Sequence, residues 1–180
     1  MHSSFPFSIF RAYDIRGKVT LLNPQCVCSI AEVLADLYLQ QRQHKLVLGY
    51  DARLSSSSYA ALIKYTLERK GLMVELIGQC SSPLMYFSAR QTDGNGIMVT
   101  ASHNDKTDNG IKWILKGLPP TPAMIQYIAQ EASRYFNPIP HTIEESIAFL
   151  STKAYDAYET YICQDITVMR PFKVILDGLN

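Results

Sequence analysis

Short apolar, β-branched runs alternate along the chain with longer segments whose apolar residues recur at helical spacing. The runs at 46–51, 72–78 and 96–101 read as strands, the first and third of them buried. Helical stretches separate them. The first opens at Asn23-Pro24, with Asn as the cap and Pro in the first turn, and aligns Val27, Ile30, Ala31, Leu34, Leu37 and Tyr38 before stopping near Gln43. The serines at 55–58 can cap the second, which carries Tyr59, Leu62, Ile63 and Leu67 on one face and closes at Gly71 in a left-handed cap. A third starts at Ser82-Pro83 and runs through Leu84, Phe87 and Ser88. Apolar strands alternating with helices imply right-handed crossovers and a mixed, largely parallel sheet with helices on both faces.

The remaining segments complete this α/β pattern. Residues 10–17 read as an extended segment running into a tight turn at Gly17. Asp108-Asn109-Gly110 reads as a local reversal, and 111–115 as a strand antiparallel to its predecessor. A helix over about 123–136 places Ile125, Ile128, Ala129, Ala132 and Phe136 on one side, and Asn137-Pro138-Ile139-Pro140 breaks it. Ser151 then caps a helix with Tyr155, Tyr158, Ile162 and Ile166 on one face. The run at 172–178 reads as a fresh buried strand, the opening of a second α/β domain. These segments divide the chain into 1–147, one α/β domain, and 148–180, a linker helix plus the first strand of a cut-off second domain. An exposed terminal strand would be open to self-association.

Composition narrows the functional classes. A 47% hydrophobic, 18% charged chain of 180 residues suits a folded globular protein. A net charge of +1 gives no footprint for nucleic acid or a membrane surface. No apolar run approaches the roughly 20 residues of a membrane span. The amino terminus lacks a basic segment followed by a long apolar core, so no signal peptide is expected. Cys26 and Cys28 point in different directions on a helix, and with Cys80 and Cys163 they read as reduced, buried thiols of a cytoplasmic protein.

The candidate chemistry lies where the third apolar strand turns polar. Ser102, His103 and Asn104 follow Thr100 directly, at the carboxyl end of a strand, where open α/β sheets bind ligands. Three stretches together resemble the α-D-phosphohexomutase superfamily, most closely the bacterial phosphomannomutase/phosphoglucomutase group. They are Ser8-Ile9-Phe10-Arg11-Ala12-Tyr13-Asp14-Ile15-Arg16-Gly17, Gly49-Tyr50-Asp51-Ala52-Arg53-Leu54-Ser55, and Thr100-Ala101-Ser102-His103-Asn104 with Asn109-Gly110-Ile111-Lys112. The resemblance implies a three-layer α/β/α first domain. It also implies transfer of a phosphoryl group between C1 and C6 of mannose or glucose phosphate, through a phosphoserine and a hexose 1,6-bisphosphate that also serves as activator.

On that pattern Ser102 matches the phosphoserine, and His103 a neighbour that assists proton transfer. Arg16 and Lys112 match cations on the phosphoryl group, and Tyr13 an aromatic near the substrate. Asp51, Arg53, Asn104 and Asn109 support the cluster. Mg²⁺ would meet this chain only through the phosphate on Ser102, because the family's metal loop and sugar-binding segments belong to domains II–IV, which are missing here. The chain departs from the pattern at Asp105, where Pro is usual, and at Asp108, where Tyr is frequent. Alternatives remain at this stage. Ser102 fits a turn serine, Arg16 an ion-pair partner of Asp14, Asp51 a helix cap, and the whole chain a non-catalytic binding or assembly domain. A serine hydrolase is disfavoured, since no Gly-x-Ser-x-Gly elbow surrounds the serine.

Overall fold

The computed structural model describes residues 4–136 and 151–177. Its strands are β1 (Ile15–Lys18), β2 (Lys45–Tyr50), β3 (Met73–Gln79), β4 (Gly96–Val99) and β5 (Asp108–Ile114). They form one sheet in the order β1-β5-β4-β2-β3. Strands β3, β2 and β4 run parallel, while β5 is antiparallel to both β4 and β1. The mixed, largely parallel sheet expected from the alternation is therefore present.

Strand residues alternate between two cores, as a two-residue side-chain period requires. Leu46, Leu48, Tyr50, Ile97, Val99, Ile111 and Trp113 face the larger core. The helices α1 (Pro24–Gln40), α2 (Ser56–Arg69) and α4 (Pro122–Tyr135) close it with Leu34, Ile63 and Ile125. Val47, Met98 and Ile114 face a smaller core built with Leu84, Met85 and Ala89 of α3 (Ser82–Arg90). The last helix, α5 (Thr152–Asp165), packs Ala154 and Tyr158 onto this second core. Three layers result.

Local signals explain several ends. Asn23 Oδ1 accepts from Cys26 N at 2.9 Å, with Pro24 at the first helical position. Gly71 has φ +92°, the left-handed geometry that ends α2. Ser151 Oγ accepts from Ala154 N, and Tyr158 and Tyr161 pack on the Phe87 ring.

Other expectations are corrected. At 10–17 the turn comes first and the strand second: Arg11 N donates to Asp14 O, and β1 then runs through Gly17. Asp108-Asn109-Gly110 is no turn. It lies inside β5, paired with Lys18, Gly17 and Arg16, because residues 100–107 make the reversal and β1 supplies partners for the strand. Ser55 occupies the cap position of α2 but makes no capping bond; its hydroxyl instead accepts from Asn109 Nδ2 at 2.7 Å. The third helix is capped by Ser81 rather than Ser82. The third strand ends at Val99, before the polar turn begins. Cys163 is exposed, not buried. Residues 172–177 form no strand and are exposed, with Leu176 at 91%, because no neighbouring strand pairs with them. Gly178, the Pro-rich break at 137–140 and the 147/148 boundary lie outside the described residues.

Candidate functional site

Where β4 ends, the backbone enters a loop that is exposed at its tip and tied down beneath. Ser102 is exposed and holds φ at +57°, a conformation that costs free energy for a residue with a Cβ. Two side chains hold it there. Ser102 N donates to Thr100 Oγ1 at 2.9 Å, and Thr100 Oγ1 donates to Asp51 Oδ2 at 2.7 Å. Asp51 stands one residue beyond β2, beside Thr100, because the parallel register pairs Tyr50 with Val99. Its carboxylate also accepts from Ser56 Oγ at 2.6 Å, Arg53 N at 3.1 Å and Arg53 Nε at 3.1 Å. Both oxygens are thereby occupied.

Arg53 clamps the loop from below. Nη1 donates to Asp105 O at 2.6 Å and Asp108 O at 2.9 Å. Nη2 donates to Ser102 O at 2.9 Å and Asn104 O at 2.8 Å. With Nε on Asp51, every guanidinium N–H has an acceptor, in a fork geometry that lysine cannot reproduce. The side chain is only 12% exposed, so these bonds form largely out of water.

A second set of side chains approaches from β1. Arg16 Nη1 donates to Asn104 Oδ1 at 3.2 Å, and Arg16 Nε lies 3.3 Å from Asp14 Oδ1. The Asp14 pairing admitted by the sequence is real, and it coexists with a reach to the serine loop. Lys18 Nζ donates to Thr107 Oγ1 at 2.7 Å and lies 3.2 Å from Asp108 Oδ1. The Asn104 amide, and after it Lys18, holds the Asp108 carboxyl below the usual carboxylate range. Hydrogen bonds from Thr107 lower Asp105 in the same way.

Arg16, Lys18, His103, Asn104 and Asp108 border a cavity of about 490 Å³, with Arg11 at its rim. Arg11 makes no side-chain hydrogen bond or ion pair among the described residues.

The other expected residues fall as follows. His103 Nδ1 lies 3.5 Å from Ser102 Oγ, at the outer limit of a hydrogen bond. Lys112 is half-buried on β5 opposite Met98, two residues from Gly110, which pairs with Arg16. That register puts Lys112 and Arg16 on one face of the sheet, although Lys112 makes no polar contact among the described residues. Tyr13 is 71% exposed in the turn before β1 and lies outside this network. Asn109 is buried and bonds Ser55 and Ser56 at 2.7 and 3.0 Å, serving the start of α2 rather than the serine tip. Gly110 admits no side chain: a Cβ there would lie 2.6 Å from Ile15 O and 2.7 Å from Thr100 O.

Sequence reasoning missed Thr100, Ser56, Lys18 and Asp108 as working parts. Thr100, two residues before the serine, carried a local signal as a short hydroxyl side chain able to bond the backbone two residues on. Asp108 and Ser56 have partners four and five residues away, at Asn104 and Asp51, but across loops without a regular period to predict the contact; the partners of Lys18 lie on a distant segment.

This fold matches known proteins. The family description "Phosphoglucomutase/phosphomannomutase, alpha/beta/alpha domain I" fits residues 8–138. The chain belongs to this family. A phosphomannomutase/phosphoglucomutase of Pseudomonas syringae is 29% identical over 97% of the chain and 37% of its own length. A phosphoglucomutase of Neisseria gonorrhoeae is 34% identical over 99% of the chain and 38% of its own length. A crystal structure of a phosphoglucomutase/phosphomannomutase family protein from Burkholderia thailandensis superposes with a TM-score of 0.77 at 28% identity, covering 92% of this chain and 37% of that one. The chain thus spans well under half the length of these mutase relatives.

The magnesium expected from the family resemblance finds no ready ligand set here. Among the described residues no three His, Cys, Asp or Glu side chains converge. The carboxylates near the serine are already engaged, Asp51 by four hydrogen bonds, Asp105 by Thr107, and Asp108 by Asn104 and Lys18. These residues by themselves do not fit a resident metal. No helix among the described residues is long and apolar enough to cross a membrane.

Proposed function

We propose that this chain is the phosphoserine-bearing part of a phosphohexomutase acting on mannose or glucose phosphate. The observation that carries the reading is an exposed Ser102 hydroxyl at the tip of a clamped loop, with Arg16 bonded two residues away at Asn104. Catalysis of phosphoryl transfer is mostly positioning and charge stabilisation, and this arrangement supplies both.

In the forward step, a hexose hydroxyl attacks the phosphorus of phosphorylated Ser102. The new sugar O–P bond forms as the Ser102 O–P bond breaks. His103 takes the hydroxyl proton and passes it to the released Ser102 oxygen, which lies 3.5 Å from its Nδ1. The product is a hexose 1,6-bisphosphate, and reversal of the step at the other end of the sugar restores the phosphoserine. Arg16 offers a fork of donors to the equatorial oxygens and Lys112 a point charge. Tyr13 would border the sugar.

Hexose 1,6-bisphosphate as activator and Mg²⁺ as cofactor of the longer enzyme belong to this reading. By itself the 180-residue chain would complete the mutase cycle weakly or not at all, since sugar and metal sites would come from other domains, whereas the single transfer onto Ser102 calls on this chain's own residues. Four free cysteines agree with a reducing, cytoplasmic setting.

Intact-mass measurement after incubation with glucose 1,6-bisphosphate tests the proposal. A gain of one phosphoryl group, absent in Ser102→Ala, is expected. Phosphate on another residue, or none on folded protein, overturns it. Calorimetric titration with magnesium chloride should show no micromolar site on this chain.

A second reading, association rather than catalysis, draws on one observation. Ile166, Val168, Met169, Phe172, Val174, Ile175 and Leu176 are all exposed. Sizing chromatography decides it: a monomer at high concentration removes self-association through this segment.

A further inference from the structure

We propose that Asp108 is a positioning residue that aims Arg16 at the Ser102 loop through the side chain of Asn104; the inference deepens, and rests on, the phosphoserine reading. Asp108 Oδ2 accepts from Asn104 Nδ2 at 3.0 Å, and Asn104 Oδ1 accepts from Arg16 Nη1 at 3.2 Å. An amide is suited to this place because it donates at one end and accepts at the other. A carboxylate at 108 decides which end is which. It accepts only, so it attracts the NH₂ of Asn104 and turns the carbonyl oxygen toward the guanidinium. Without it, the amide has no fixed orientation, and an inverted amide would present N–H to N–H at Arg16.

The charge on Asp108 is balanced nearby. Lys18 Nζ lies 3.2 Å from Asp108 Oδ1 and is held there by Thr107 Oγ1 at 2.7 Å. Asp105 Oδ1 lies 3.8 Å from the same ammonium. Arg16 has its own counter-charge in Asp14. The relay therefore runs Lys18, Asp108, Asn104, Arg16, Asp14 from the end of β1 back to its start, along the wall of the cavity that His103 borders. The backbone of β5 makes it rigid, because Asp108 pairs with Lys18 and Gly110 with Arg16 in one antiparallel register. The orientation of Arg16 is accordingly set here by a charged group.

The test uses the full chain with Asp108→Asn, Asp108→Leu and Asp108→Ala. The first readout is guanidinium rotation at Arg16, followed by nitrogen-detected NMR, which needs no activity. Rotation should be slow in the wild type, faster in Asp108→Asn, whose amide can meet either end of Asn104, and fastest in Asp108→Leu. Asp108→Ala replaces the leucine variant if the larger side chain does not fold. Unchanged slow rotation in a folded Leu or Ala variant overturns the proposal.

The second readout is the rate at which glucose 1,6-bisphosphate phosphorylates Ser102. Loss of aim should slow it on the order of 10- to 100-fold. In an Arg16→Ala background the same Asp108 change should add little, since the two residues act as one unit. Full additivity also overturns the proposal. If the wild type takes up no phosphate while Arg16 responds as expected, the phosphoserine reading fails and the relay stands.

Discussion

Two exposed segments of this molecule differ in opposite ways from what their polarity suggests. The loop at 102–108 is polar and mostly open to solvent, yet its carbonyls at 102, 104, 105 and 108 are all bound by one arginine. The segment at 172–177 is apolar enough for a core strand, yet lies exposed without partners in the sheet. Order follows from satisfied hydrogen bonds and available neighbours, not from the hydropathy of the segment itself. An edge strand or a loop becomes rigid when another part of the chain reaches it. Arg53 reaches the loop, whereas no described strand pairs with the tail.

Breaking the clamp should give the largest effect. Arg53→Ala strips four carbonyls and a half-buried carboxylate of their donor at once, so a loss of about 3 kcal/mol or more in denaturant unfolding is expected. Arg53→Lys should recover only part, because three donors cannot serve five positions. A loss below about 1 kcal/mol for the alanine variant would show that the loop does not depend on this residue.

Gly110→Ala comes next. Its Cβ would press on the carbonyls of Ile15 and Thr100, so β1 or the base of the loop must move. A destabilisation of about 1–3 kcal/mol is expected, with exchange of the β1 amides accelerated.

Acid should act more gently, and with a defined sign. Hydrogen bonding from Asn104, then the Lys18 charge, depresses the folded pKa of Asp108. Its contribution is therefore present above the unfolded value of about 4 and fades as pH falls through the lower folded value. Asp108→Asn should flatten that limb of the stability-versus-pH curve; an unchanged slope would remove Asp108 from the account.

The smallest effect belongs to the tail. Ile175→Ser and Leu176→Ser should change unfolding free energy by no more than about 0.5 kcal/mol, since neither side chain is buried. A larger loss would mean that the segment packs against the domain in solution.

Much of the fold was legible beforehand because its signals are local. Asn23-Pro24 opens α1 by a bond three residues away, and Gly71 ends α2 through its own φ. The alternation of Leu46, Val47 and Leu48 between two cores follows from strand geometry alone. Where a signal had two meanings, the reading went astray. Asn109-Gly110 is a hairpin signature, but here glycine is needed for close approach of two backbones rather than for a turn. The run at 172–177 has the composition of a strand, but a strand exists only with a neighbour to bond.

The sequence by itself determined the periodic elements, the apolar faces that must meet, and a serine-bearing turn after the third strand. Each depends on residues close together in the chain. Only the tertiary structure decided what holds that turn. Asp51 and Arg53 arrive from the end of β2, and Arg16 and Lys18 from β1, because the sheet order sets those strand ends beside one loop. Backbone carbonyls carry no residue-specific mark, so the sequence could mark Arg53 as supporting the cluster but not that it binds four of them.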